Sequence, residues 1–279
     1  MIEYYFLFGI ALLWTLFSVV QDMKTREVSN WLNFSFVGIG LAYRAFYSVI
    51  NGEMRFFLLG VLGFAVMFCL AHALYYSRVF AGGDAKLLMG FGTILPYTSY
   101  WSLIYLSLGF LFVLFLMGAV WSLAYSVKIV NGNRKKFGKE FVKRMKDSKI
   151  LVIITILFGV IGLFIFDYFY NIIFFVFFAV LGLLYVYLKA LDKCMIVLKR
   201  AEELSEGEWL EEDVKVKGRW IRRSVHGLSW EEIRFLRKAR KKILIKDGVP
   251  FTPAFLGALL VMIIAMKFNL WGLLYNLYF

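Results

Sequence analysis

Two cysteines and two histidines are all the thiols and imidazoles that 279 residues offer. Cys69 and Cys194 lie far apart and form no Cys-x-x-Cys, which excludes a disulfide framework and a cysteine-held zinc segment. Cys69 falls in an apolar run and is expected as a small buried thiol. His72 and His226 are too few for an imidazole-based metal site. No Lys or Arg precedes the first apolar run and no small-residue cleavage site follows it, so that run reads as a membrane helix and not as a removable signal peptide. Internal repeats, low-complexity stretches and nucleic-acid-binding motifs are also missing, so the excess of 32 Lys and Arg over 19 Asp and Glu needs another explanation.

What the chain has in excess is apolar surface. Hydrophobic residues make up 61% and aromatics 19%, and the mean hydropathy is +0.73. Soluble domains stay near half apolar, whereas a bilayer core asks for about 20 apolar residues per helix. Eight candidate spans follow, at 4–21, 31–50, 56–77, 84–98, 101–127, 150–167, 169–189 and 252–270. The fourth is short and interrupted by Gly90, Gly92 and Pro96; the sixth and seventh join tightly around Asp167. The expected fold is therefore an all-α polytopic membrane bundle of about six to eight transmembrane helices, with a small cytoplasmic α+β domain before the last helix.

The charges explain themselves by topology. With the N-terminus outside, segment 128–149 with nine Lys/Arg and segment 189–250 with sixteen both fall in the cytoplasm, while the external connections carry only Arg55. The expected organisation is an N-terminal bundle at 1–127, a basic cytoplasmic loop or amphipathic helix at 128–149 facing anionic lipid, a helical hairpin at 150–189, a cytoplasmic domain at 190–250 and a last transmembrane helix at 251–279. Inside the domain, Val214-Lys-Val-Lys alternates like a strand. Ser229-Trp-Glu-Glu reads as a capping box opening a helix whose apolar face is Ile233, Leu236 and Ile243.

Ionisable residues at membrane depth are costly and point to function. Asp22 ends the first span and Asp84 begins the fourth, on the same side and at similar depth. Two carboxylates held close cannot both ionise easily, so they share a proton; one then activates water while the other polarises a carbonyl. Taken singly, each Asp is better explained as a helix cap in the interface, a role that suits Asp84 at a helix N-terminus. Arg44 is expected to snorkel or to pair across the bundle, and His72 to make an interhelical hydrogen bond.

The surrounding residues carry a resemblance. Gln21-Asp-Met-Lys-Thr-Arg-Glu-Val-Ser-Asn and Phe80-Ala-Gly-Gly-Asp-Ala-Lys are similar to the two aspartate motifs of the prepilin peptidase family, in its archaeal branch with the preflagellin (prearchaellin) peptidases. Arg26, Val28, Ser29 and Asn30 match the first motif; Gly83, Asp84, Ala85 and Lys86 match the second, after Gly82. Ala81 replaces the first glycine of Gly-x-Gly-Asp, which would matter if that position needed a positive φ. Pro250-Phe-Thr-Pro-Ala-Phe resembles a third family stretch entering the last span, and residues 128–189 exceed the shorter members.

The resemblance implies a membrane aspartyl endopeptidase with Asp22 and Asp84 as catalytic pair, supported by Gly82, Gly83, Lys86, Arg26 and Asn30. It implies no cofactor, no metal and no nucleic-acid partner. The partners would be archaellin- or pilin-type precursors, cut at the cytoplasmic surface between a basic class III signal segment and an apolar helix, together with membrane lipids. Glu211, Glu212 and Asp213 are candidates for attracting the basic segment, against the plainer reading of a solvated loop. Other readings stay open: a presenilin-like intramembrane protease, which would place its pair deeper in the bilayer; a transporter or channel, which predicts paired broken helices; and a non-catalytic scaffold.

Overall fold

The computed structural model describes residues 2–77, 79–165, 168–224 and 227–268. Asp167 and His226, singled out from the sequence, lie outside them. The chain divides into two compact units, Met1–Leu123 with Val249–Phe279, and Ala124–Gly248.

The first unit is helical: α1 (Ile2–Thr25), α2 (Asn30–Asn51), α3 (Met54–Tyr76), α4 (Gly82–Ile94), the greater part of α5 (Tyr100–Gly132) and, from the far end of the chain, α10 (Thr252–Lys267). Helix α2 stops where Gly52 takes a left-handed conformation, φ 69°, and its N–H reaches the Ser48 carbonyl. Helices α3 and α4 meet through glycines. A Cβ on Gly63 would collide with the Gly92 carbonyl, and one on Gly92 with the Gly63 carbonyl. Small residues at such a crossing let backbones approach where lipid supplies no hydrophobic drive between helices. Around them lies an aromatic core in which Phe91 stacks on Phe110 at 4.7 Å and on Phe255 at 5.7 Å.

Helix α4 has 13 residues. At about 1.5 Å per residue it is too short for a hydrocarbon core of about 30 Å. Its C-terminal end is buried and needs a partner, and Arg44 supplies one. This side chain is fully buried; it donates from Nε to Thr93 O at 2.6 Å, from Nη2 to Leu95 O at 2.6 Å and from Nη1 to Phe56 O at 2.9 Å. Arg44 thus does not snorkel; it pairs across the bundle, with carbonyls at the negative end of α4 and with Phe56 O in the first turn of α3. His72 departs from expectation, bonding Phe68 O one turn earlier in its own helix at 2.9 Å. Cys69 is exposed on the bundle's exterior instead of buried.

Among the described residues, four helical stretches are long and apolar enough to cross a membrane by length and composition: Glu3–Thr25, Met54–Tyr76, Tyr100–Gly132 and Phe175–Cys194. Thr252–Lys267 is a shorter apolar helix. The protein is a multi-pass membrane helix bundle carrying a small α+β domain ahead of its last helix.

In the second unit, the segment at 128–149, expected as a basic loop or amphipathic helix, is helical. The end of α5 runs to Gly132 and α6 spans Arg134–Asp147, broken only at Asn133. Phe137, Phe141 and Val142 are spaced for one side of α6 while its Lys and Arg cover the rest, so the block folds once apolar neighbours are available. Phe137 packs edge-on to Tyr187 at 5.4 Å. Helices α7 (Lys149–Ile165) and α8 (Tyr168–Cys194) follow as the expected hairpin.

The domain's sheet is antiparallel, in the order β1 (Ile196–Arg200), β5 (Lys242–Lys246), β2 (Trp209–Leu210). A separate hairpin joins β3 (Val214–Val216) to β4 (Arg219–Ile221) through Lys217 and Gly218, φ 46° and 83°, the two left-handed positions of a tight β-turn. The capping box forms: Ser229 opens α9 (Trp230–Lys238), its amide donating to Glu232 Oε2 at 2.9 Å. Ile243 belongs to β5 and not to the helix, although it joins Ile233 and Leu236 in one core. The helix stops earlier than its apolar spacing suggests because Arg240 turns left-handed, φ 49°.

Candidate active site

Asp22 lies in the last turn of α1, on the face that also carries Thr15 and Ser18; all three are buried. Arg26 ends the helix in a left-handed conformation, φ 61°, donating its N–H to Asp22 O at 3.0 Å. The turn that follows is held by Gln21, whose Oε1 accepts from Ser29 N at 2.9 Å. It leads directly into α2 at Asn30.

Asp84 sits in the first turn of α4, partly buried, and its carboxyl accepts from the backbone N–H of Ala81. Ala81 is the N-cap with φ −71° and ψ 162°, an extended conformation open to any residue. The missing glycine therefore costs the backbone nothing. Gly82 and Gly83 also have negative φ; their value is room, since the Cβ position of Gly83 lies 3.6 Å from Val28 of the first motif.

Three segments far apart in sequence converge here. Lys86 Nζ donates to Asn30 Oδ1 at 2.6 Å, joining the second motif to the first. Thr252 donates twice to Asp22 Oδ2, from its hydroxyl at 2.9 Å and from its backbone N–H at 3.2 Å. That amide is a first-turn N–H of α10 with no acceptor inside its own helix. Phe80 closes the arrangement by packing on Phe251 at 5.4 Å and Phe255 at 6.1 Å. Trp121 fixes the approach to α10 by donating to Pro250 O at 2.8 Å.

The two carboxyls are near enough for the charge of Asp22 to act on Asp84. Each sits at a helix N-terminus, Asp22 at that of α10 and Asp84 at that of α4, where the dipole and unpaired N–H groups favour an anion. Two close carboxyls, one fed by two donors, can share a single proton.

Residues 9–123, which contain both aspartates, match the model of the type IV leader peptidase family. Over this segment the chain is similar to that family. Three relatives are preflagellin peptidases. That of Methanocaldococcus jannaschii is 35% identical over 81 residues, 29% of this chain and 34% of the relative. That of Methanococcus maripaludis is 27% identical over 169 residues, 54% and 70%, and that of Methanococcus voltae 29% identical over 89 residues, 32% and 38%. The chain thus spans about a third of the length of two relatives and more than two thirds of the other. No solved structure matches the chain.

The site residues named from sequence divide accordingly. Asp22, Asp84, Gly82, Gly83, Lys86, Arg26 and Asn30 occupy one neighbourhood. Glu211, Glu212 and Asp213 belong to the other unit. Glu211 is paired with Lys193 at 2.9 Å, and Asp213 accepts from Arg223 N at 2.8 Å, so two of these three carboxylates serve the domain's own structure. Thr252 was missed. It fills the variable position of Pro-Phe-x-Pro-Ala-Phe and lies 230 positions from its partner, so no local pattern announces it.

Proposed function

We propose that this protein is a membrane aspartyl endopeptidase that removes class III signal peptides from archaellin- or pilin-type precursors at the cytoplasmic membrane surface. The observation that carries this reading is a pair of carboxyls, Asp22 and Asp84, within electrostatic reach of each other inside the segment that matches the type IV leader peptidase family. The names of the relatives favour an archaellin-type precursor.

In this reading the N-terminus is outside and the 190–250 domain is cytoplasmic, as the basic segments require. Asp22 and Asp84 then meet a peptide bond where a basic segment leaves the headgroups and an apolar helix begins. A water between the carboxyls loses a proton to the ionised one and attacks the scissile carbonyl, which the protonated one polarises. The tetrahedral intermediate collapses as the first carboxyl returns the proton to the leaving nitrogen, giving one acid and one amine. The two donors of Thr252 on Asp22 bias the shared proton toward Asp84. Of the three acidic candidates for drawing in the basic segment, Glu211 and Asp213 are engaged locally.

The test is co-expression with a tagged precursor, comparing the parent with Asp22→Asn and Asp84→Asn at matched levels. Each variant is expected to lose about 10²–10⁴-fold in cleavage, the usual worth of a general acid or base. Full cleavage by both variants would remove the dyad mechanism. Cleavage inside the apolar helix, not before it, would favour a presenilin-like protease, and no cleavage by the parent would favour transport or scaffolding.

A further inference from the structure

Deeper in the bundle than the dyad are polar groups the proposed reaction does not use. Asn33 is 1% exposed, and neither its Oδ1 nor its Nδ2 has a hydrogen-bond partner; Thr15 is 0% exposed and its Oγ1 has none either. Each such orphan costs about 1–3 kcal/mol where an apolar residue of like shape would cost nothing. In native proteins such groups call for an explanation, and breaches of packing rules concentrate at functional sites.

Their location follows from the contacts of α2 with its neighbours. Along α4, Asn30 bonds Lys86, Phe36 fills the space over Gly90, and Gly40 faces Thr93. Asn33 therefore lies between the levels of Lys86 and Gly90, about one helical turn, roughly 5 Å, beyond Asp84. Against α1, Trp14 Nε1 donates to Ser35 Oγ at 3.0 Å while Gln21 reaches Ser29, so Thr15 stands near the level of Asn33. Thr15, Ser18 and Asp22, spaced three and four apart, form one polar stripe that leads from this depth to the dyad.

We infer that Asn33 and Thr15 form a binding subsite for the backbone of the precursor, taking peptide groups of the residues that follow the cut. This rests on the peptidase reading. A helix passing the dyad must be extended there, and the first N–H groups of its remaining helical part then have no internal acceptor. At membrane depth water does not replace those partners, so the enzyme must. A carboxamide offers one acceptor and a donor pair on a single edge, the complement of a peptide C=O and N–H, and a threonine hydroxyl adds an acceptor. The subsite reads no side chain, which suits precursors that share an apolar helix and little else.

The experiment uses the full chain in proteoliposomes and a fluorescent peptide made of a basic stretch ending in Gly followed by an apolar helix. Binding is measured in the Asp84→Asn background, with and without Asn33→Leu or Thr15→Val, and cleavage is measured in the parent. Loss of two hydrogen bonds at about 1 kcal/mol each is expected to weaken binding about tenfold or more for Asn33→Leu, and about fivefold for Thr15→Val. The thermal midpoint of Asn33→Leu should equal or exceed that of its parent, because an apolar isostere removes an unpaired group. Unchanged binding overturns the inference while parental cleavage keeps the peptidase reading intact. A fall in thermal midpoint of several degrees with Asn33→Leu also overturns it, since Asn33 would then be a structural residue bridged by internal water. A parent that neither binds nor cleaves the peptide ends the peptidase reading, and this inference with it.

Discussion

Arg44 in the first unit and Lys199 in the second are both cations held by oxygen atoms, in opposite ways. Arg44 is wholly buried and is held by three backbone carbonyls, with its guanidinium carbon 4.5 Å from the centre of the Phe56 ring. Lys199 keeps a side-chain exposure of 20% and meets two carboxylates, Glu208 at 2.8 Å and Asp247 at 3.5 Å. Inside a bundle built for lipid, a counter-ion would itself have to be desolvated, whereas the carbonyls at the end of α4 are already there and need donors. In the domain, water screens the pair and its net worth is small. The contrast is one of environment: the buried cation of the bundle is tied to backbone, and the cation of the domain pairs with carboxylates near the surface.

The comparison can be broken most forcefully at Arg44. Arg44→Leu removes the donors from Arg44 to Thr93 O, Leu95 O and Phe56 O and is expected to cost about 3 kcal/mol, seen as a lower thermal midpoint and a poor yield of folded protein in detergent. A stability equal to the parent's would show that the carbonyls find other partners. Next is Thr252→Val, which removes the hydroxyl from Asp22 but keeps the amide. A hydrogen bond to a charged group is worth about 1.5–3 kcal/mol, so cleavage should fall well below the parent's with the fold retained, as a rate assay beside a melting curve would record.

In the domain the effects shrink. Ser229→Ala loses the cap of α9 and should cost about 1 kcal/mol, read as faster amide hydrogen exchange in α9 within the intact chain. Smallest is Lys199→Ala, expected below about 1 kcal/mol. Burial pulls the Lys199 pKa down, but the hydrogen bond and charge of Glu208 and the charge of Asp247 outweigh it, and the net shift is upward. A raised lysine pKa contributes stability that is present at neutral pH and is lost only as pH rises through the folded value. Between pH 6 and pH 9, by the ordinary lysine range of about 10.4, the difference between parent and Lys199→Ala should stay constant. A difference that faded across this range would assign the stability to another group.

Helix positions were legible in the chain because the apolar runs are long and their ends carry clear stops. Expected spans and observed helices agree at α1, α2, α3 and α5 to within a few residues. The strand at Val214 and the cap at Ser229 were also legible, since both depend on neighbours within four positions. What packing decides was not legible in the chain. The 128–149 block, open to loop or amphipathic helix, is helical, and α8 offers its apolar side a surface, as at Tyr187. Arg44 found carbonyls of α3 and α4 that no sequence pattern connects to it, and His72 bonded its own helix.

By itself the sequence determined a membrane bundle, its two charged blocks and two aspartates at one level, because hydrophobicity and motif spacing are local properties. Only the tertiary structure decided that α10 returns to put Thr252 on Asp22, that Lys86 grips Asn30, that Ala81 needs no glycine, and that Asn33 and Thr15 are buried without partners. Those facts depend on which helix faces which, and that is settled by glycine-scale packing between helices and by the requirement that nearly every buried polar group find a partner.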